Sequence, residues 1–288
     1  MIATAPLEHF PTERNRPVGI RERQRTEHAL EHGAWEICRV YLHPDQHGIG
    51  LAQALLDTAE RHAIAAGATS LALWTDTRFL RAHRFYEKHG YVRAGAIRPV
   101  APDVLEFPYA KPIQGIRRLD IAAAQSAERR LAEILVACVD DGASVSFLAP
   151  LAPDRARAFW QGVTRSVGQA STLLFAAWDQ GALAGTIQLV LPASELGPHR
   201  AEVAKFLVHP AHRSRGLGAA LLAQAEAAAS DAGRTLLLLD TRPGDPAERL
   251  YRSQGWQQVG RIEGYTRDAR GREEATLLFA KHTAPQPA

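Results

Sequence analysis

The stretch that decides the fold is Ala201-Glu202-Val203-Ala204-Lys205-Phe206-Leu207-Val208-His209-Pro210, continued by Ala211-His212-Arg213-Ser214-Arg215-Gly216-Leu217-Gly218-Ala219-Ala220-Leu221-Leu222. An apolar, β-prone run ends at a proline, a short basic turn with two glycines follows, and an alanine- and leucine-rich segment at helical spacing begins. That order predicts a strand, an anion-binding turn and a helix N-terminus. Gly216 and Gly218 let the backbone approach a ligand with no Cβ in the way. Free N–H groups in the first helical turn, with the positive end of the helix dipole, favour a phosphate there. Arg213 and Arg215 add guanidinium groups that grip phosphate oxygens in pairs. The turn lacks the Gly-Lys-Ser/Thr ending of a Walker loop. It also lacks the third glycine of a dinucleotide fingerprint.

The 288 residues suffice for two domains of ordinary size. Hydrophobic content of 46% and charged content of 23% are those of a water-soluble globular chain. No apolar run reaches the roughly 20 residues that cross a bilayer, and the N-terminus has no uninterrupted apolar core of a secretory signal. The expectation is a cytoplasmic protein without a membrane partner. Cys38 and Cys138 have no metal-type spacing and read as reduced core residues. No histidine pair has metal-ligand context, so no metal is expected. Net charge is +3, and the basic residues are scattered arginines rather than a block, which argues against nucleic acid.

The chain repeats itself. Glu36 to Pro44 matches Glu202 to Pro210 in register, each glutamate eight residues before its proline. His47-Gly48-Ile49-Gly50-Leu51-Ala52 answers Arg213 to Gly218, and Ala-Leu-Leu follows in both. Asp76-Thr77-Arg78 pairs with Asp240-Thr241-Arg242, and Tyr86 with Tyr251. Two homologous domains in tandem are expected. Only about 30 residues, poorly periodic and Arg/Glu-rich, precede the first copy's strand, so residues 1–112 read as an N-terminally truncated domain with 1–30 poorly structured. After the link Pro112 to Gly115, residues 113–282 read as a complete domain and 283–288 as a tail.

In that second part a strand is expected at 116–121, a helix at 126–139, a helix starting near Asp154, and a hairpin around Asp179-Gln180-Gly181. The central strand, a helix to about 232, a strand at 236–239, a helix at 246–254 and strands at about 257–262 and 275–281 complete it. The fold class is α/β, two tandem mixed sheets with flanking helices.

Arg-x-x-Gly-x-Gly after a Val-x-Pro strand end resembles the coenzyme A loop of the GNAT acetyltransferase superfamily. Gly142 to Phe147, Glu202 to Gly218, Leu239-Asp240-Thr241 and Glu263-Gly264-Tyr265 are similar to the tabtoxin-resistance group within it. The resemblance implies acetyl-CoA as cosubstrate, with Phe206, Leu207, Val208, Arg213, Ser214, Arg215, Gly216, Leu217, Gly218 and Ala219 along it. It implies a primary amine of a small molecule, of amino-acid-like toxin type, as acceptor.

An amine must lose a proton before attacking a thioester, and a nearby carboxylate can take it. Glu202 on the central strand and Asp240 on its neighbour are the candidates, with the role of base open between them. The plainer readings are a solvent-facing strand residue and a helix cap. Tyr251 stands where the family's proton donor to the leaving thiolate stands; otherwise it is a core aromatic. Backbone N–H groups near Phe206 to Val208 would hold the oxyanion. Ser144, Ser146 and Tyr265 match positions near the acceptor pocket.

In the first copy Glu36, Asp76 and Tyr86 stand in corresponding places, but His47 replaces the loop arginine and Ala52 the second glycine. This copy reads as a scaffold, a weak acyl-CoA binder or a dimerising element, which makes a homodimer possible. Two rival functions remain at this point: a protein or peptide N-acetyltransferase, and a non-catalytic acyl-CoA-binding regulator.

Overall fold

A computed structural model describes residues 19–22, 33–38, 40, 42–268 and 271–283. The chain divides into two units, Met1–Gln114 and Gly115–Ala288, and each is described by itself.

The first unit carries β1 (Gly19–Glu22), β2 (Ala34–Cys38), α1 (Leu51–Ala65), β3 (Ser70–Asp76), α2 (Leu80–Lys88), β4 (Val92–Arg93), β5 (Arg98–Ala101) and β6 (Val104–Pro112). Its sheet runs β1-β2-β3-β6-β4, with β5 also on β6. Within the stretch read as poorly structured, Gly19–Glu22 forms β1 and pairs antiparallel with β2. The rest of that stretch lies outside the described residues, as does all of the tail after Thr283. Leu56, Ala59 and Ala63 of α1 bury one helical face against Leu71 and Leu73 of β3, with Tyr91 and Tyr109 alongside.

The second unit carries β7 (Gly115–Leu119), α3 (Ile121–Asp140), α4 (Pro153–Gly168), β8 (Thr172–Asp179), β9 (Ala182–Val190), β10 (Arg200–Val208), α5 (Leu217–Asp231), β11 (Leu236–Thr241), α6 (Pro246–Ser253), β12 (Gln257–Arg267) and β13 (Glu273–His282). The helix α3 begins earlier than its apolar periodicity suggests, because Asp120 caps it by accepting from the Ala123 N–H at 2.8 Å. The strand expected to reach 121 therefore stops at Leu119. The last hairpin is longer than its hydrophobic pattern, since β12 is exposed through most of its length and shows no buried alternation.

The sheet order is β7-β8-β9-β10-β11-β13-β12. Alternation splits β8 cleanly. Leu173, Phe175 and Ala177 meet Leu221, Leu222 and Ala225 of α5 on one face, while Leu174 and Ala176 meet Leu131, Leu135 and Trp160 of α3 and α4 on the other. A three-layer α/β sandwich results, with β10 at its centre.

Two irregularities in β10 make the site. Its register with β9 runs Glu202 to Val190 and Ala204 to Gln188, then resumes at Leu207 to Thr186, so one extra residue is accommodated at Lys205-Phe206. Lys205 takes φ +45°, the left-handed region, and the bulge leaves backbone groups off the ladder. On its other side β10 pairs parallel with β11 only from Arg200 to Glu202. Both strands continue beyond that point, β10 to Val208 and β11 to Thr241, without pairing to each other. The sheet is split open just past Glu202.

Candidate active site

The split is the mouth of a cavity of about 640 Å³. It is bordered by His212, Arg213, Ser214 and Gly216 of the turn after β10 and by the first turn of α5. Gly216 caps α5 at φ +79°, a conformation that costs other L-residues about 1–2 kcal/mol. Gly218 faces inward under tight packing: a Cβ there would stand 3.2 Å from Phe206 Cζ and 3.3 Å from Leu250 Cδ2. The first-turn N–H groups of α5 have no intrahelical acceptors and face the cavity with the positive helix end. Two acidic side chains tether the basic turn. Arg213 pairs with Asp141 and donates from Nε to the Val208 carbonyl at 3.2 Å. Arg215 and His212 both reach Asp179 at 2.8 Å. Neither aspartate stands out in the sequence, since each lies in a turn where Asp is common. Ser214, Gly216, Leu217, Gly218 and Ala219 line the cavity with Phe206, Leu207 and Val208. Arg215 does not: its side chain is turned to Asp179.

Glu202 and Asp240 lie on opposite lips of the split, both solvent-open and both lining the cavity. The Thr276 hydroxyl stands 3.1 Å from Asp240 Oδ2. Arg242, two residues on, is turned away, donating to the Gly142 carbonyl at 3.0 Å and pairing with Glu274 at 3.5 Å. Asp240 is thereby left open to the cavity. It does not cap α6; Asp245 does, accepting from the Ala247 N–H at 2.9 Å.

Tyr251 is a core aromatic that also borders the cavity. It is 5% exposed, with ring centroids of Phe206, Trp256 and Phe279 at 6.0, 6.1 and 5.9 Å, and it also lines the cavity. Burial, aided by the charges of Asp245 and Asp240, pushes its phenol above the ordinary tyrosine value. It holds a proton at neutral pH. Cys138 also lines the cavity, but its thiol donates to the Val208 carbonyl at 3.4 Å and burial pushes its pKa up. It is a buried thiol, not a thiolate nucleophile.

Ser144 and Ser146 line the cavity on the α3–α4 loop. Tyr265 stands on β12, 56% exposed, and is not among the residues that line this cavity.

The first unit repeats the split but not its electrostatics. Among the described residues its parallel pairing of β2 with β3 ends at Glu36, opposite Ala72, as that of β10 with β11 ends at Glu202, opposite Leu238. Asp240 lies two residues beyond Leu238, whereas Asp76 lies four beyond Ala72. The sequence correspondence of the two aspartates therefore hides a shift of one strand repeat, about 7 Å along the strand. Asp76 is also occupied. Arg78 donates to it from Nε at 2.9 Å, from Nη2 at 2.6 Å and from its backbone N–H at 2.9 Å, and these bonds hold its pKa at about 2.

The Acetyltransferase (GNAT) family profile matches residues 12–91 and 135–256, one segment in each unit and together well over half the chain. The chain belongs to the GNAT acetyltransferase family. Solved structures share the fold. The ribosomal-protein-alanine N-acetyltransferase of Brucella melitensis is 20% identical with a TM-score of 0.50, covering 58% of this chain and 98% of its own. The protein yncA of Salmonella typhimurium, solved with its cofactor acetyl-CoA, is 19% identical with a TM-score of 0.50, covering 61% and 96%. A protein described as a phosphinothricin N-acetyltransferase is 19% identical with a TM-score of 0.50, covering 59% and 98%. Acetyl-CoA is the family's acyl donor.

Proposed function

We propose that the second unit is an acetyl-CoA-dependent N-acetyltransferase that passes the acetyl group directly to a primary amine of a small molecule. One observation carries this reading: two carboxylates, a tyrosine and the N-terminus of α5 line one cavity at the split between β10 and β11. The unpaired edge of β10 from Phe206 to Val208 offers N–H and C=O groups to the donor's amides. The turn from Arg213 to Ala219 takes its pyrophosphate. Glu202 or Asp240 accepts the proton of the entering ammonium, directly or through water. The nitrogen lone pair attacks the thioester carbon, and a backbone N–H of the bulge holds the oxygen as it gains charge. The C–S bond then breaks, and Tyr251 gives its proton to the leaving thiolate. Cys138, buried and protonated, does not carry the acyl group, which favours a ternary complex over a covalent intermediate.

The resemblance to the tabtoxin-resistance group favours an amino-acid-like toxin as acceptor. The named activities of the structural neighbours span a ribosomal-protein alanine and phosphinothricin, so the assay spans both classes. The full chain is incubated with acetyl-CoA and a panel of small amines and peptides, while free thiol and acetylated product are followed together. Equal amounts of thiol and N-acetylated small amine support the reading. Acetylation of peptides alone moves the acceptor to proteins. Tight CoA binding with no thiol released from any mixture contradicts catalysis.

A further inference from the structure

Thirty of the chain's 34 basic residues are arginines, and the four lysines are Lys88, Lys111, Lys205 and Lys281. Lys111 is paired with Glu60 at 2.8 Å, Lys281 with Glu226 at 2.6 Å, and Lys88 is exposed. Lys205 differs from all three. It occupies the bulge of β10, lines the cavity, and has no carboxylate within ion-pair distance among the described residues. Its Nζ reaches the Ser146 hydroxyl at 3.4 Å and stands 5.6 Å from the Phe159 ring centroid. Burial lowers its pKa, and the charges of Asp240 and Glu202 oppose that shift.

The bulge decides where this ammonium goes. Val203 faces the α5 side of the sheet. The extra residue lets Phe206 and Val208 return to that side while Lys205 is set toward Phe159 of α4. Ser146 comes from the α3–α4 loop with φ +69°, which places its hydroxyl at the lysine. A further donor lies on the neighbouring strand: Gln188, the partner of Ala204, is 4% exposed and its Nε2 has no acceptor among the described residues. Lys205 and the Ser146 hydroxyl thus put an N–H and an O–H donor on the cavity wall, with no carboxylate within ion-pair distance of the ammonium among the described residues. The split itself carries the two acids, Glu202 and Asp240.

We propose that Lys205 and Ser146 form an anion cradle, so that the acceptor carries an acid group, a carboxylate or similar oxyanion, on the same small molecule as its amine. This rests on the acetyltransferase reading above. The ammonium of the acceptor goes to Glu202 and Asp240, and its acid group goes to Lys205. A bound oxyanion gives the half-buried ammonium the counter-charge that no protein carboxylate supplies within bonding distance. Lys205 is then a specificity-determining residue and takes no part in proton transfer.

The test uses the full chain with acetyl-CoA and matched acceptors, a set of α- and ω-amino acids and the carboxamide of each, which keeps the amine and removes the acid. The expected result is at least about a tenfold preference in kcat/KM for the acids, the range of one charge-assisted hydrogen bond. Lys205→Met brings the acid-to-amide ratio to within about twofold and Lys205→Arg retains part of it, with CoA affinity measured as the check on folding. Ser146→Ala gives an intermediate ratio. Wild-type protein that acetylates carboxamides as well as acids overturns the cradle while leaving the acetyltransferase intact, as does a ratio unchanged in Lys205→Met. An acetyl mass added to Lys205 in acceptor-free protein makes the lysine an acceptor rather than an anchor, and also overturns it. No turnover with any member, despite CoA binding, removes both readings together.

Discussion

At the scale of single residues, environment divides groups that look equivalent in sequence. Asp76 and Asp240 share an Asp-Thr-Arg motif, but Arg78 folds back onto Asp76 while Arg242 leaves Asp240 for Gly142 and Glu274. A carboxylate held at a pKa of about 2 is a poor proton acceptor at neutral pH. Arg78→Ala should return the Asp76 pKa toward its ordinary value near 3.8, read by NMR titration, and a value still near 2 would show that Arg78 is not the cause. The sign for stability follows: this depressed pKa contributes stability above pH 3.8 that is lost as pH falls through about 2. Tyr251 behaves oppositely. Its raised pKa contributes stability present below the unfolded tyrosine value of about 10 and lost as pH rises beyond it. Wild-type protein should therefore lose stability more steeply above pH 10 than Tyr251→Phe, measured by denaturant unfolding; parallel curves would deny the shift. In turnover, Tyr251→Phe should lower kcat on the order of 100-fold, the range for loss of a positioned general acid, with little change in CoA affinity.

At the scale of elements, the strand-turn-helix unit was legible because each part has a local cause. Proline ends the strand, Gly216 supplies a positive φ, and alanines and leucines propagate the helix. The bulge left a trace that is easy to pass over. Inward-facing residues of β10 shift from odd numbers, Ala201 and Val203, to even ones, Phe206 and Val208. Lys205 at the switch is the group that reading the strand as regular misses. The reach of β12 was not legible, because an exposed hairpin has no hydrophobic pattern to fix it. The Asp141 and Asp179 tethers depend on contacts 72 and 36 residues away along the chain, beyond any local rule. The turn itself makes a prediction. Gly216→Ala forces a Cβ into a left-handed position and should weaken CoA binding and cost about 1 kcal/mol of stability. Gly218→Val adds bulk where even a Cβ meets Phe206 and Leu250, and should weaken binding further. Calorimetric titration with CoA checks both, and unchanged affinity in the two variants would move the pyrophosphate elsewhere.

At the scale of the whole molecule, the repeat in the sequence is real as architecture: each unit holds a mixed sheet whose one parallel pair parts just beyond a glutamate. What the repeat did not reveal is that its two halves place their acids differently. The first unit's aspartate is one strand repeat further out and bound by its own arginine, and its turn has His47 where the second unit has Arg213. Landmarks in the same order show common descent of the fold, whereas register and hydrogen bonding decide whether a cleft can move a proton. The central claim is that acetyl transfer takes place in the second unit's split. The most direct measurement compares two paired variants of the full chain in free-thiol release from acetyl-CoA with a turned-over amine: Asp240→Asn with Tyr251→Phe, and Asp76→Asn with Tyr86→Phe. Turnover should fall on the order of 1,000-fold in the first pair and stay within about twofold of wild type in the second. Turnover that survives the first pair and collapses in the second would place the chemistry in the other unit.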